Sequence, residues 1–201
     1  MEATPYLENT QAWVEIPIRY QDAEMSDFTG SDIDVITEWV ANPRDFLFIW
    51  GVSGIGKSHL LAAITKAVRR SGKKCGYKKA PEIFLDLRQS FKNDMESEVI
   101  KKYRQPIVAC FDDVGASNVT DYAVAAWYLI IDHRYSEMTP TVFTSNLSLD
   151  KISELMGDRI ASRLASGVRF ELKGLDRRLK PQGSQAVKRE PVPTKEPWWN
   201  K

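Results

Sequence analysis

One stretch of eight residues constrains this chain more than any other: Gly51-Val52-Ser53-Gly54-Ile55-Gly56-Lys57-Ser58. It satisfies GxxxxGK[ST] at every fixed position. It follows the apolar run Phe46-Leu47-Phe48-Ile49-Trp50, which reads as a buried strand, and opens a segment from about 57 to 70 with Leu60, Leu61, Ile64 and Val68 on one helical side. Between a strand and a helix, the glycines let the backbone curl so that successive N–H groups face the β- and γ-phosphates of a nucleotide. Lys57 adds positive charge on the same oxygens, and the Ser58 hydroxyl is placed to ligate Mg²⁺. The expected ligands are therefore ATP and Mg²⁺.

A second apolar run, Ile107-Val108-Ala109-Cys110-Phe111, ends in Asp112-Asp113. In a parallel sheet these acids reach the carboxyl edge beside the phosphate loop. Asp112 is the expected Mg²⁺ holder, through water, and Asp113 the group that orients or deprotonates the water attacking the γ-phosphate. A third run, about 141 to 144, leads into Ser145-Asn146. The Asn146 amide suits either a bond to that water or γ-phosphate, or a cap on the following helix.

The remaining pattern alternates strands with helices. Ile33, Ile36, Trp39 and Val40 give a first helix one apolar face, with Ser31 as its N-cap and Asn42-Pro43 as its stop. A weak strand near Cys75-Gly76-Tyr77 precedes a helix opened by Pro81-Glu82 and containing Ile83, Leu85 and Leu87. Helices are expected at 121–137 and, as one or two pieces, at 150–165, and an edge strand at Val168-Arg169-Phe170-Glu171-Leu172. This order predicts an α/β fold on a parallel sheet. Residues 1–40 read as an N-terminal arm and first helix, 41–180 as the core, and 181–201 as a basic tail without order.

Composition excludes several classes. The 201 residues are 43% apolar and 27% charged, values of a globular domain rather than a disordered chain. No apolar run is long enough to span a membrane, and the N-terminus lacks a signal pattern. The two cysteines, Cys75 and Cys110, form no CxxC or Cys/His cluster, which argues against zinc or a disulfide framework and fits a reducing, cytoplasmic setting. The net charge of +1 conceals an acidic start, −7 over residues 1–34, and a basic end, +4 over 174–201.

Read in order, GVSGIGKSHLLAAI, IVACFDDVG, Asp132-His133-Arg134-Tyr135, FTSN and the Asp158-Arg159-Ile160-x-x-Arg163-Leu164 helix resemble the AAA+ ATPases of the DnaC/DnaI helicase-loader and IstB transposition-helper group, over about residues 14–180. The resemblance implies a P-loop NTPase of the AAA+/ASCE type: a parallel five-stranded sheet flanked by helices, with the helical lid reduced or absent. It extends the nucleotide site to His59, to Tyr20 at the adenine and to Arg177 as a second sensing arginine. It makes Asn146 the sensor and Arg163 the finger lent to a neighbour's site, with Arg159 the second choice. The spacing of the two arginines, i and i+4, puts them on one helical face, and a guanidinium matches the charge that develops on a γ-phosphate.

The same resemblance implies a homo-oligomer joined through ATP, a replicative, DnaB-like helicase as partner, no membrane, and a bacterial cell or phage-infected host. It also implies single-stranded DNA binding. Lys92, Lys101, Lys102 and Arg104 offer phosphate contacts, Phe91 and Tyr103 stacking faces, and Tyr122 a further contact; a solvated helix with core aromatics is the competing reading. Trp198-Trp199 suits a partner anchor or packing onto the same domain. The competing functions are an IstB-like transposition helper and a small-molecule P-loop kinase. The kinase reading is weakened because Asp132-His133-Arg134-Tyr135 falls within a helix.

Overall fold

Three apolar runs need cover on both faces, and the chain supplies it with helices. The computed structural model describes residues 16–28, 33–90, 95–105, 107–115 and 120–174. Five strands, β1 (Phe46–Trp50), β2 (Cys75–Lys79), β3 (Val108–Asp112), β4 (Thr141–Ser145) and β5 (Val168–Glu171), form one parallel sheet in the order β2-β3-β4-β1-β5. Among the described residues seven α-helices connect or flank them: α1 (Asp34–Ala41), α2 (Lys57–Arg70), α3 (Ala80–Ser90), α4 (Glu96–Arg104), α5 (Asp121–Ser136), α6 (Leu149–Met156) and α7 (Asp158–Leu164). Among the described residues, no helix is long and apolar enough to cross a membrane.

Strand alternation assigns the two faces. Leu47 and Ile49 of β1, Val108 and Cys110 of β3 and Val142 of β4 pack with Ile36, Trp39 and Val40 of α1 and with Leu60, Leu61, Ile64 and Val68 of α2. Phe46, Phe48, Ala109, Phe111 and Phe143 point the other way, into a cluster completed by α3 to α7. The expected boundary at residue 40 therefore meets no break in packing, because α1 belongs to the same core as β1. In α3, Ile83 and Leu87 are buried, while Leu85, two residues from each, faces outward as the helical period requires. Ser31 lies outside the described residues; Ile33 occupies the N-cap position of α1.

One expectation needs correcting. Tyr103 is no stacking platform: its ring is fully buried and its hydroxyl donates to Asp86. The two cysteines, 35 residues apart, meet across β2 and β3 with Sγ atoms 3.7 Å apart as free thiols. The Cys75 thiol is pushed well up by its bond to Cys110 and then by burial, so it stays protonated and unreactive.

Arg134 of α5 is wholly buried, and its five N–H donors all find acceptors. Nε donates to Thr141 Oγ1 at 2.7 Å, Nη1 to the carbonyls of Tyr103 and Gln105 at 3.2 and 2.8 Å, and Nη2 to those of Ile107 and Pro140 at 2.6 and 3.1 Å. Burial draws its pKa down to about 9, which still leaves it a cation at neutral pH. It thus clips the chain leading into β3 to the chain leading into β4. Asp132-His133-Arg134-Tyr135 is consequently a packing element and not a phosphate-acceptor site. Replacing Arg134 by Ala strands these carbonyls in the interior, and we expect a loss of more than about 3 kcal/mol in urea-unfolding free energy, with little rescue by Lys. A loss under about 1 kcal/mol would show that the clip does not hold the strands.

Candidate functional site

β1, β3 and β4 end side by side, and the loops after them enclose a cleft of about 520 Å³. After Trp50 the chain turns at Gly51, where a Cβ would run into the carbonyl oxygen of Leu172 just past β5. It reaches α2 through Gly56 at φ 110, a conformation that glycine adopts without strain. Ile55 packs down into the core and Val52 points out. Lys57 folds back over the loop, its Nζ donating to the carbonyls of Gly51 and Val52 at 2.8 and 2.9 Å.

Asp112 closes β3, is only 3% exposed, and receives three hydroxyls. Ser58 Oγ and Thr144 Oγ1 donate to its Oδ1 at 3.1 and 2.6 Å, and the Tyr77 hydroxyl donates to its Oδ2 at 2.6 Å. Burial, then the Asp112 charge and that hydrogen bond, push the Tyr77 phenol far above its usual range, so it remains a donor. The next residue, Asp113, sits at φ 64, a conformation that costs a non-glycine residue energy and is held from outside. Its amide donates to Thr144 Oγ1 at 3.0 Å, and its Oδ1 accepts from Asn146 Nδ2 at 2.8 Å. Asn146 is thus turned toward the acidic pair; the cap of α6 is Ser148.

The opposite wall comes from the 3-10 turn Ile18–Tyr20, and a second such turn, Met25–Asp27, follows it. Ala23 packs on Ala62 and Ala63 of α2, and Glu24 bonds Lys66 and Arg70. These partners, Arg70 foremost, hold Glu24 down at about 2. A lowered carboxylate pKa stabilises the fold above its free value of 4.5, so this attachment persists through neutral pH and is lost only as pH falls toward 2. His59 Nε2 lies 2.7 Å from Asp27 Oδ2 and edge-on to Tyr20, so Tyr20 and Arg19 border the cleft.

Of the residues singled out from sequence, Tyr20, Ser53, Gly54, Gly56, Lys57, Ser58, His59, Asp112, Asp113 and Asn146 therefore line one cleft. Arg177, Phe91 and Lys92 lie outside the described residues, as do Trp198 and Trp199. The two arginines of α7 differ. Arg159 is exposed, whereas the Arg163 side chain is 22% exposed and turned onto α5 of its own chain. There it pairs with Asp132, lies over the Tyr128 ring at 5.0 Å and leaves a buried Nε without a hydrogen-bond acceptor. Lys101 pairs with Glu98, Lys102 with Asp86, and Arg104 Nε donates to the Leu129 carbonyl at 3.0 Å. Tyr122 is 39% exposed at the start of α5. None of these four borders the cleft.

Tyr77, Arg19 and the Thr144 hydroxyl are site groups that the motifs did not flag. The available signal for Tyr77 was period two: it faces the α2 side of its strand, as Cys110 and Asp112 do on β3. Among the described residues no three His, Cys, Asp or Glu side chains gather as a metal cluster, so a cation here would rest on Ser58 and Asp112. An alcohol and a carboxylate are hard oxygen donors of the kind Mg²⁺ takes alongside water and phosphate.

Residues 31–168 match the family described as IstB-like ATP binding protein. The chain is 25% identical over 134 residues to the replicative helicase loader DnaC of Escherichia coli (strain K12), a match covering 66% of this chain and 54% of that protein. It thus spans about half the length of this relative. The crystal structure of the DnaC helicase loader has the same fold, with a TM-score of 0.71 at 20% identity over 78% of this chain and 100% of that one. So does replication initiator DnaA bound to AMPPCP and single-stranded DNA, with a TM-score of 0.69 at 21% identity over 79% and 51%. The fold is that of AAA+ P-loop ATPases. Lys57→Ala removes the cation that lies over the loop in the cleft, and we expect ATP affinity to fall at least about 100-fold, by fluorescent-nucleotide titration, with an unchanged thermal midpoint. Undiminished affinity would show that the cleft binds nucleotide elsewhere.

Proposed function

The chain belongs to the IstB-like ATP-binding family, and on that premise we propose that it is an ATP-hydrolysing switch of DNA replication: a loader that assembles through ATP at subunit boundaries, holds single-stranded DNA and delivers a replicative, DnaB-like helicase. The observation that carries the ATPase part is the convergence of Lys57, Ser58, Asp112, Asp113 and Asn146 on one cleft at the ends of three adjacent strands.

The loop amides and Lys57 bind the β- and γ-phosphates, Lys57 exchanging its two loop carbonyls for phosphate oxygens. Ser58 and Asp112 would hold Mg²⁺, which when bound neutralises charge on the phosphate oxygens. Asp113, fixed by Asn146, accepts the proton of the attacking water or orients it, and Asn146 links that carboxylate to the nucleotide's state. Tyr20 borders the base, with Arg19 and His59 beside it; Arg177 is assigned the second sensing role by family resemblance. Arg163 completes a neighbour's site, and Arg159, already exposed, supports it. Because Arg163 is paired with Asp132, assembly on this reading releases it from its own α5.

The helicase part is supported by the likeness to DnaC, and the DNA part by the likeness in fold to DnaA bound to single-stranded DNA. On this chain Lys92, Lys101, Lys102 and Arg104 are assigned to phosphates, and Phe91 and Tyr122 to bases; residues 1–40 and the tail 181–201 are assigned to partner contacts. A second reading, an IstB-like transposition helper, fits the same family match and differs in its partner.

Turnover tests the assembly. Arg163→Ala should bind ATP normally as a dilute monomer but turn over about 10³-fold more slowly at high concentration, as expected for loss of a finger. Adding Lys57→Ala protein, which keeps Arg163, should restore turnover; failure to restore it would place the arginine's action in cis. Reversing charge at Lys101 and Lys102 should weaken binding to oligo(dT) and reduce the slope of log affinity against log salt by about 1.4, while an unchanged slope removes α4 from the DNA path. Retention of a replicative helicase, and not a transposase, on the ATP-loaded protein decides between the two partners.

A further inference from the structure

The three hydroxyls on Asp112 come from different parts of the fold. Ser58 opens α2 behind the phosphate loop and Thr144 closes β4, both reaching Oδ1, while Tyr77 alone reaches Oδ2, from the edge strand β2. In register, Tyr77 lies opposite Cys110 and Asp112 opposite Lys79, so tyrosine and carboxylate are two residues apart along paired strands. With about 3.3 Å per residue and about 4.8 Å between strands, that diagonal is about 8 Å. No serine or threonine on β2 spans it; a tyrosine leaning along its strand does, and the 2.6 Å bond shows that it arrives.

We propose that Tyr77 is a positioning residue that locks the Asp112 carboxylate in the orientation needed to meet magnesium, an inference that rests on reading the cleft as a magnesium–ATP site. A carboxylate held only at Oδ1 is free to turn about its last torsion. With Oδ2 held as well, that rotation is closed and Oδ1 stays turned toward Ser58 at the cleft. The phenylalanine variant would leave the ring packed with Leu61, Ile64 and Cys110 of the same cluster and remove only the donor. Tyr77 is not among the residues that line the cleft, and its hydroxyl meets the site through Asp112.

The experiment titrates Mg²⁺ against binding of a fluorescent ATP analogue to the full chain, without turnover, for wild type and Tyr77→Phe. In EDTA the two should bind the analogue within about twofold of each other, while the magnesium midpoint of the variant rises about 10-fold, the size of effect seen when a partner of a metal-binding group is removed. An unchanged midpoint overturns the proposal. So does an EDTA affinity that falls by the same factor, which would make Tyr77 a packing residue. Should the variant not melt cooperatively, a fluorotyrosine at position 77, which keeps the ring and changes the donor strength, must move the midpoint, and an unmoved one overturns the proposal equally. Wild-type protein without any magnesium-dependent binding would instead overturn the reading of the cleft on which this inference stands.

Discussion

A buried carboxylate organises the cleft. Asp112 is nearly inaccessible at the end of a central strand, where an unsolvated anion costs several kcal/mol unless donors surround it. The donors are three hydroxyls, from the start of α2, the end of β4 and the middle of β2. Satisfying one anion therefore requires three separate elements to be in register within a few tenths of an ångström. Thr144 does more, since the same hydroxyl accepts the Asp113 amide and so helps to hold the left-handed turn that swings Asp113 toward Asn146. Asp112 and Asp113 are thus both set by one threonine.

At the opposite end of the sheet stands a buried cation satisfied in a similar way. Arg134 directs five N–H groups at four carbonyls and one hydroxyl from the chain just before β3 and β4. Dipoles placed in this way stabilise a buried charge without the strict geometry of an ion pair. The two strands that end in Asp112 and Ser145 are consequently fixed at their beginnings by Arg134 and at their ends by Thr144. With both ends fixed, the spacing between Asp113 and Asn146 is a property of the sheet and not of the loops that carry them.

What the sequence made legible was whatever is local. The phosphate loop, the apolar strands, α2 with its Leu60, Leu61, Ile64 and Val68 face, and the acids at the end of β3 are each written in a few consecutive residues. The residues around Asn146 left two readings open; in the structure its amide bonds Asp113, and the helix cap is Ser148. The hidden features join distant segments. Tyr77 to Asp112 and Cys75 to Cys110 each cross 35 positions, and both depend on β2 pairing with β3, which no local pattern specifies. Tyr103 misled because an aromatic between Lys102 and Arg104 looks amphipathic in a charged helix, whereas α4 turns that one position toward Phe111 and Asp86. The segment 16–28 looked like an arm because its attachment, Ala23 on Ala62 and Ala63 and Glu24 and Asp27 on bases of α2, joins residues far apart along the chain.

The position of Arg163 bears on how assembly under the proposed reading is tied to ATP. Its ion pair with Asp132 is partly exposed, which limits that pair to about 1 kcal/mol, and stacking on Tyr128 adds about 1 kcal/mol more. The buried Nε, left without an acceptor, subtracts from this. A guanidinium on a triphosphate makes charge-assisted bonds of about 1.5–3 kcal/mol each, often two at once. The exchange therefore favours the neighbour's site when ATP fills it and favours α5 when that site has no γ-phosphate. A modest attachment suits such a switch, because a much stronger hold on α5 would keep the arginine from leaving, and none at all would let an empty neighbour recruit it.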